Sequence, residues 1–426
     1  MCFKNKNVLI IGSGVSGKGA EFALTKSGAS CYILDEKNNK SLLTQKFVSE
    51  FNLVVVSPAI ELSHKIYILA KNAKIEVISE PELGARLFSG RVIGITGTNG
   101  KTTVTQLLGS MLINAGFKTA VCGNVGYSFA RASVETDAEY AAVELSSFQL
   151  EQMGTHLKPE IAMILNISPD HLDRHGTMDN YAASKKNIAL NQDENDTLIL
   201  SFDDIPIKYL DEFSPKSKVI FVSVKGQVGG AYLLNGVLYY DHEPIVKQED
   251  IKIKGLHNVS NALFCTAAAK ILGVGNEVIR DTLSSFCPDS HRISLVATIK
   301  GKNYYNDSKG TNMGASLAAC STMVGDTALI LGGKDKGYDF DNLFINLPHN
   351  IRHIYAIGET AKKIEASAEK IGFNSIECTN LENAVKNSIS LNVANVLLSP
   401  ACSSFDAFKD YKDRGEYFEK LVKGLE

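Results

Sequence analysis

Residues 94–103 read Gly-Ile-Thr-Gly-Thr-Asn-Gly-Lys-Thr-Thr, between a short apolar run and a segment of helical period. Backbone N–H groups in such a loop can wrap phosphate oxygens, and the N-terminus of the following helix adds partial positive charge. Gly97, Thr98, Asn99 and Gly100 would form the cradle, Lys101 would reach the β- and γ-phosphates, and Thr102 would offer its hydroxyl to Mg2+. The strict phosphate-loop pattern has glycine five residues before Gly100, and Ile95 stands there. The strand–loop–helix setting still favours phosphate binding over a turn with a coincidental lysine. Glu144 closes another apolar run, in Glu-Leu-Ser-Ser-Phe-Gln. A carboxylate beside a phosphate loop is placed to hold Mg2+, whereas taken alone it would be a solvated strand-end charge. The segment Asn166-Ile-Ser-Pro-Asp170-His171-Leu-Asp173-Arg174-His175 also follows an apolar run, and is either a polar loop or a second metal and substrate station.

Gly12-Ser-Gly14-Val-Ser-Gly17 fits a dinucleotide fingerprint, with Asp35 18 residues after Gly17 to meet a ribose hydroxyl. A dehydrogenase is the rival reading. Against it, the unit is too short for a six-stranded dinucleotide fold, and hydride transfer has no use for the phosphate loop that follows. A pyrophosphate-containing ligand that is not a redox cofactor is the economical alternative. Towards the C-terminus, Asn306-Asp307-Ser308-Lys309-Gly310-Thr311-Asn312, Leu331-Gly-Gly-Lys334-Asp-Lys336-Gly337 and Ser399-Pro-Ala-Cys402-Ser-Ser404-Phe405-Asp-Ala-Phe408 each end an apolar run. Each could be turn and capping chemistry. Three polar strand ends in one α/β unit favour a ligand-binding face, and Ser404 beside a helix start would suit a carboxylate.

These residues need strands to end at them. Val8–Ile11, Cys31–Leu34 and Leu53–Val56 read as strands of a first unit about 90 residues long, closing near Ser89-Gly90. Val92–Ile95, Tyr140–Val143 and Ile161–Leu165 belong to a second unit, with a helix that places Val104, Leu107, Leu108, Met111 and Leu112 on one face. Asn235-Gly236 inside Tyr232–Tyr240 signals a hairpin. Residues 191–254 otherwise carry little pattern. A third unit starts around Pro288–Ile293, with strands at Asn303–Tyr305, Ala328–Leu331, Ile354–Ile357 and Val396–Leu398. Strands alternating with helices imply parallel sheets and an α/β fold of three domains, at 1–90, 91–287 and 288–426.

The composition fits a soluble protein of 426 residues, with 44% hydrophobic and 21% charged residues. A formal net charge of -3 leaves no basic footprint for nucleic acid. The eight cysteines form no CxxC pair and read as reduced thiols. The apolar run Val8–Ile11 is too short for a signal-peptide core, and no stretch is long enough to span a bilayer, so a cytoplasmic location and no membrane association are expected.

Together, Gly97-Thr-Asn-Gly-Lys-Thr-Thr103, Glu144-Leu-Ser-Ser-Phe-Gln-Leu150, Asp170-His-Leu-Asp-Arg174, His257-Asn-Val-Ser-Asn261, His291-Arg292 and the C-terminal motifs resemble the Mur ligase family of peptidoglycan synthesis. Asp307-Ser-Lys-x-Thr-Asn312 and Ser399-Pro-Ala-Cys-x-Ser404-x-Asp-x-Phe408 are similar to those of its D-glutamate-adding members. The resemblance implies a Rossmann-like domain for a UDP substrate, a central P-loop ATPase, and a Rossmann-like C-terminal domain that binds D-glutamate and closes on ATP. The implied reaction joins D-glutamate to UDP-N-acetylmuramoyl-L-alanine through an acyl phosphate, with ATP and two Mg2+ ions, and the expected state is a monomer. By the same resemblance, ATP is held by residues Gly97 to Val104 (Thr103 included), Asn258, Asn261, Arg292 and Asp307. The UDP substrate is held by Val15, Ser16, Asp35 and Asn124, and D-glutamate by His171, Thr311, Lys336, Ser404 and Tyr411. Metal ligation falls to Thr102, Glu144, His171 and a carbamylated Lys185, and catalysis to Lys101, His171, Lys185 and Lys336. Two positions depart from the family's habit: Ala59 where glycine often follows Ser-Pro, and Tyr411 where phenylalanine is frequent. Ligases adding another amino acid and folylpolyglutamate synthetases share the P-loop core, but the first glycine turn and the C-terminal motifs favour the D-glutamate reading.

Overall fold

The computed structural model describes residues 3–35, 42–124, 126–211, 213–287, 293–373 and 376–425. The chain divides into two compact units, Met1–Phe286 and Cys287–Glu426. Arg292 and His291, named above on resemblance, lie outside the described residues.

The first unit opens with four parallel strands, β1 (Asn7–Ile11), β2 (Ser30–Leu34), β3 (Leu53–Val56) and β4 (Glu76–Ser79), in the order β2-β1-β3-β4. Successive side chains of a strand point to opposite faces. Val8 and Ile10 therefore pack with Ala20 and Leu24 of the helix Val15–Lys26, while Leu9 and Ile11 pack with Val48, Ile66 and Ala70. Helices on both faces explain why the strands are apolar runs and not alternating patterns.

A second sheet follows: β5 (Arg91–Thr96), β6 (Thr119–Gly123), β7 (Tyr140–Glu144), β8 (Ile161–Ile164), β9 (Thr197–Ser201), β10 (Lys218–Ser223), β11 (Gly230–Leu234), β12 (Val237–Tyr240) and β13 (Glu243–Lys247). Their order is β13-β12-β11-β10-β9-β8-β5-β7-β6, parallel from β6 to β11 and antiparallel from β11 to β13. The expected hairpin is β11–β12, and Asn235 and Gly236 take φ of 49° and 74° at its turn. Residues 191–254, nearly silent in the sequence, supply β9 to β13. The functional consequence lies in the middle: β5 has β8 on one side and β7 on the other, so the segments leaving all three strands meet at one edge.

In the second unit, β14 (Ser294–Ile299), β15 (Lys302–Asn306), β16 (Thr327–Gly332), β17 (Ile351–Ile357), β18 (Ile376–Thr379) and β19 (Asn395–Leu398) take the order β14-β15-β19-β16-β17-β18. Only β14 runs antiparallel to its neighbour. The three polar strand ends follow β15, β19 and β16, which are adjacent. No helix among the described residues is long and apolar enough to cross a membrane. Cys31, Cys122, Cys265, Cys287, Cys320 and Cys402 are free thiols.

The two sheets of the first unit are joined by buried carboxylates. In the helix Glu80–Leu87, Glu80 Oε1 accepts the Ala130 N–H at 2.7 Å and Glu82 accepts the Leu157 N–H at 3.0 Å. Burial pushes the Glu80 carboxyl up to about 7, with the Ala130 N–H opposing. A group raised in the folded state stabilises most below its unfolded value near 4.5, and loses that contribution as pH climbs through 7. Glu80→Gln keeps an acceptor for Ala130 and removes the titration. Its unfolding free energy should match the wild type near pH 4 and exceed it at pH 8, by roughly 3 kcal/mol at most. Parallel pH profiles of the two proteins would refute this.

Candidate functional site

The loop after β5 is braced from the strand beside it. Thr98 N–H donates to Asn166 O at 3.1 Å, Asn99 N–H to Asn166 Oδ1 at 2.8 Å, and Asn166 Nδ2 returns a bond to Asn99 O at 3.1 Å. Ser168 N–H donates to Thr98 Oγ1 at 3.1 Å, and the Tyr181 hydroxyl lies 3.1 Å from the same oxygen. Gly100 has φ of 85°, and a Cβ there would come 2.4 Å from Asn261 Oδ1. The helix Leu256–Ile271 thus brings Asn261 against the loop, and Asn261 Nδ2 donates to Asn258 Oδ1 at 3.1 Å. The helix Lys101–Asn114 then carries Thr102 and Thr103, both buried, at its start. Val104 is different: its side chain is fully buried and its N–H is bonded to Gly100 O, which places it behind the loop.

Two amines converge on one carbonyl. Lys101 Nζ donates to Gly97 O at 2.9 Å and to Thr98 O at 2.8 Å, and Lys185 Nζ donates to Gly97 O at 2.8 Å. Lys185, in the helix Met178–Lys186, is only 1% exposed and lies 4.5 Å from the centre of the Tyr181 ring. Burial first, then the Lys101 charge, drives its pKa far below the ordinary lysine value, with Asp170 opposing. His171 sits in a left-handed turn with φ of 53°, its N–H on Asp170 Oδ1 at 3.0 Å and its ring 4.8 Å from that of Phe148. Asp170, His171 and Lys185 are thus all brought to the region of the phosphate loop.

Glu144 ends β7, and the register sets it opposite Ile95 of β5. It is 3% exposed. Its Oε1 accepts Asn124 Nδ2 at 3.0 Å, while Oε2 is buried without a hydrogen-bond partner among the described residues. A buried carboxylate oxygen with no donor is a natural ligand for a hard cation. Among the described residues no group of three or more His, Cys, Asp and Glu side chains is placed to hold an ion. An ion at Glu144 would therefore take most of its ligands from phosphate and water, as Mg2+ does.

The first glycine turn is closely packed. A Cβ at Gly17 would come 1.9 Å from Gly12 O, so only glycine lets the helix Val15–Lys26 pack this closely. Ser13 Oγ hydrogen-bonds Asp35 Oδ2, and Val15 is exposed at the helix start with Ser16 beside it. Asn124 is hydrogen-bonded to Glu144.

In the second unit the three strand ends interlock. Ser399 Oγ donates to Asp307 Oδ2 at 2.6 Å, Ala401 N–H to Gly310 O at 2.8 Å, Gly332 N–H to Pro400 O at 2.8 Å, and Lys334 N–H to Ser403 O at 2.9 Å. Lys336 Nζ reaches Thr311 O at 3.2 Å, which unites two of the expected D-glutamate residues. Ser404 is buried, its carbonyl accepting Ala407 and Phe408 N–H, and Tyr411 begins the helix Tyr411–Lys423 with the Lys309 amine 5.3 Å from its ring centre.

Several residues that shape these sites were not singled out from the sequence. Asn166, first residue of the polar segment after β8, clamps the phosphate loop. Tyr181 meets both the Thr98 hydroxyl and the Lys185 amine. Ser57, at the end of β3, has a buried hydroxyl with no partner among the described residues, facing Gly12. His175 links Ser147 Oγ at 3.0 Å to Glu151 Oε1 at 2.9 Å, behind His171. The available signal for Asn166 and Ser57 was position, since each lies just past a parallel strand.

Residues 95–269 match the family described as Mur ligase middle domain. The chain is 39% identical to a UDP-N-acetylmuramoylalanine–D-glutamate ligase of Caldanaerobacter subterraneus, over all of both chains. It is 38% identical to the ligase of that name from Lachnospira eligens, again over all of both chains. Among solved structures, UDP-N-acetylmuramate-alanine ligase of Thermotoga maritima superposes with a TM-score of 0.65 at 16% identity, over 99% of this chain and 100% of that one. MurF ligase from Thermotoga maritima in complex with ADP gives a TM-score of 0.63 at 18% identity, over 99% and 96%. At such identities these structures speak for the fold, which is shared.

Gly100→Ala should weaken binding of a nucleoside triphosphate by about tenfold or more, because alanine resists the left-handed backbone and its methyl would collide with Asn261. Equilibrium dialysis with a non-hydrolysable analogue would measure it, and unchanged affinity would mean that this turn does not hold phosphate.

Proposed function

The chain belongs to the Mur ligase family, in its D-glutamate-adding branch, and from that membership we propose how its residues divide the work. The protein is an ATP-dependent ligase of peptidoglycan synthesis, with UDP-N-acetylmuramoyl-L-alanine and D-glutamate as substrates. In the proposed assignment the phosphate loop, Asn258, Asn261 and Asp307 serve ATP. The turn at Gly12–Gly17 with Ser16, Asp35 and Asn124 serves the UDP substrate, and Thr311, Lys336, Ser404 and Tyr411 serve D-glutamate. A monomer in the cytoplasm, with no membrane or nucleic-acid partner, completes the reading.

The alanyl carboxylate attacks the γ-phosphorus of ATP, and ADP leaves from an acyl phosphate. The amine of D-glutamate then attacks the acyl carbon, inorganic phosphate departs with the C–O bond electrons, and the amine loses a proton. Lys101 turns from Gly97 and Thr98 to the phosphates and offsets charge that grows as the phosphoryl group transfers. His171, beside Asp170, orients the carboxylate that reacts. Mg2+, when bound at Thr102 and Glu144 and near His171, neutralises phosphate charge. The observation that carries this assignment is the buried, donorless Glu144 Oε2 on the strand beside the phosphate loop.

Lys185 is proposed to work as a carbamate. Its amine is buried and pushed towards the neutral form, so the nitrogen lone pair is free to attack CO2. An N–C bond forms, one proton leaves, and an anionic oxygen pair replaces an ammonium that would repel Mg2+.

Phosphate release from ATP with UDP-N-acetylmuramoyl-L-alanine should depend on D-glutamate, and not on L-glutamate, L-alanine or meso-diaminopimelate. Release with another amino acid would move the enzyme within its family, and release with none would overturn the ligase assignment. Lys185→Ala should cost about a hundredfold or more in kcat, the scale of losing one positioned electrostatic group. Wild-type protein in 13C-bicarbonate should show a carbamate carbon resonance that the variant lacks. An active variant without that resonance would refute the carbamate.

A further inference from the structure

Arg414 lies in the first turn and a half of the helix Tyr411–Lys423, and is 1% exposed. Its Nε donates to Ser308 Oγ at 3.0 Å, and its Nη2 to Ser308 O at 2.8 Å and Cys402 O at 3.1 Å. These acceptors belong to two of the three interlocked strand ends. The third is close too, since a Cβ on Gly333 would stand 3.2 Å from Nη1. That Nη1 is itself buried without a hydrogen-bond partner among the described residues.

An arginine here is expensive in three ways. A buried guanidinium ordinarily sits against a carboxylate. Among the described residues Arg414 has none in hydrogen-bond contact: Asp307 and Asp406 act on it only through space, and burial lowers its pKa to about 10. It also stands near a helix N-terminus, where the backbone dipole disfavours a cation. Two carbonyls and a hydroxyl could be satisfied by a neutral side chain. Retention of a full charge under a surface that collects a lysine, a threonine and a buried serine makes sense if an anion completes it.

We infer that Arg414 is a positioning residue for the acceptor amino acid: it supplies the fixed positive charge beneath the three strand ends that selects a dicarboxylate, and it ties the Ser308 and Cys402 segments into register. This rests on the placement of D-glutamate at Thr311, Lys336 and Ser404 proposed above. Lys336 is part-exposed with its amine on Thr311 O, and Arg414 is buried against the Ser308 and Cys402 segments, so on this proposal an amino acid with two carboxylates meets two cationic points, whereas one whose side chain is an amide uses only one. Arg414 need not touch the ligand, because a charge in a low-dielectric interior acts at a distance and is little screened.

The test compares Arg414→Gln and Arg414→Lys with wild type in the phosphate-release assay, with D-glutamate and D-glutamine each as acceptor. Gln keeps some hydrogen bonding and loses the charge, while Lys keeps the charge and loses the fork. Arg414→Gln should raise KM for D-glutamate by about tenfold or more, leave KM for ATP within roughly twofold, and lower the preference for D-glutamate over D-glutamine by about tenfold. Arg414→Lys should recover most of that preference. Equal losses with both acceptors in both variants would show that Arg414 only holds the loops together and would overturn the inference. If Arg414→Gln does not fold, Arg414→Met takes its place as the uncharged variant: a preference that falls about tenfold and returns in Arg414→Lys supports the charge, and a preference unchanged in both variants refutes it. Wild-type enzyme that fails to use D-glutamate would instead remove the underlying assignment.

Discussion

One carbonyl oxygen, that of Gly97, receives the amines of both Lys101 and Lys185. Two ammonium groups cannot share so small an acceptor in a buried place without strong repulsion. Burial decides which gives way. Lys101 is half-buried at the start of a helix, while Lys185 is enclosed against Tyr181. The part-exposed amine on the loop and the enclosed amine pushed towards its neutral form behind it are therefore consequences of a single packing arrangement, and both proposed chemical roles depend on it.

That arrangement survives only if the loop cannot move. Asn166 clamps it from β8, Thr98 is held between Ser168 and Tyr181, and Asn261 approaches where Gly100 has no side chain. The sheet order explains the economy of these contacts. With β7 and β8 on either side of β5, Glu144 and residues 166–171 arrive beside the loop simply because they follow neighbouring strands. The second unit repeats the logic with β15, β19 and β16, whose ends hydrogen-bond to one another through backbone groups and hold Arg414 beneath them.

By itself the sequence determined the class of fold and most of the chemistry. Apolar runs ending in glycine or polar clusters marked the central strands, because parallel strands covered by helices must be apolar throughout and must end where side chains are wanted. The phosphate loop, Glu144, the Asp170-His171 pair and the three C-terminal strand ends were legible for that reason. β4, β6 and, apart from the β11–β12 hairpin, the strands of residues 191–254 were not, since short runs without flanking chemistry do not reveal their partners. Only the tertiary structure decided the rest. It set Lys185, one helix lysine among many, against Gly97; among the described residues it left one oxygen of Glu144 without a donor and buried Arg414 without a carboxylate in contact; and it moved Val104 behind the loop. Each of these is a matter of distance and enclosure between residues far apart in the chain, and charge state and ligand preference follow from enclosure, which no local spacing encodes.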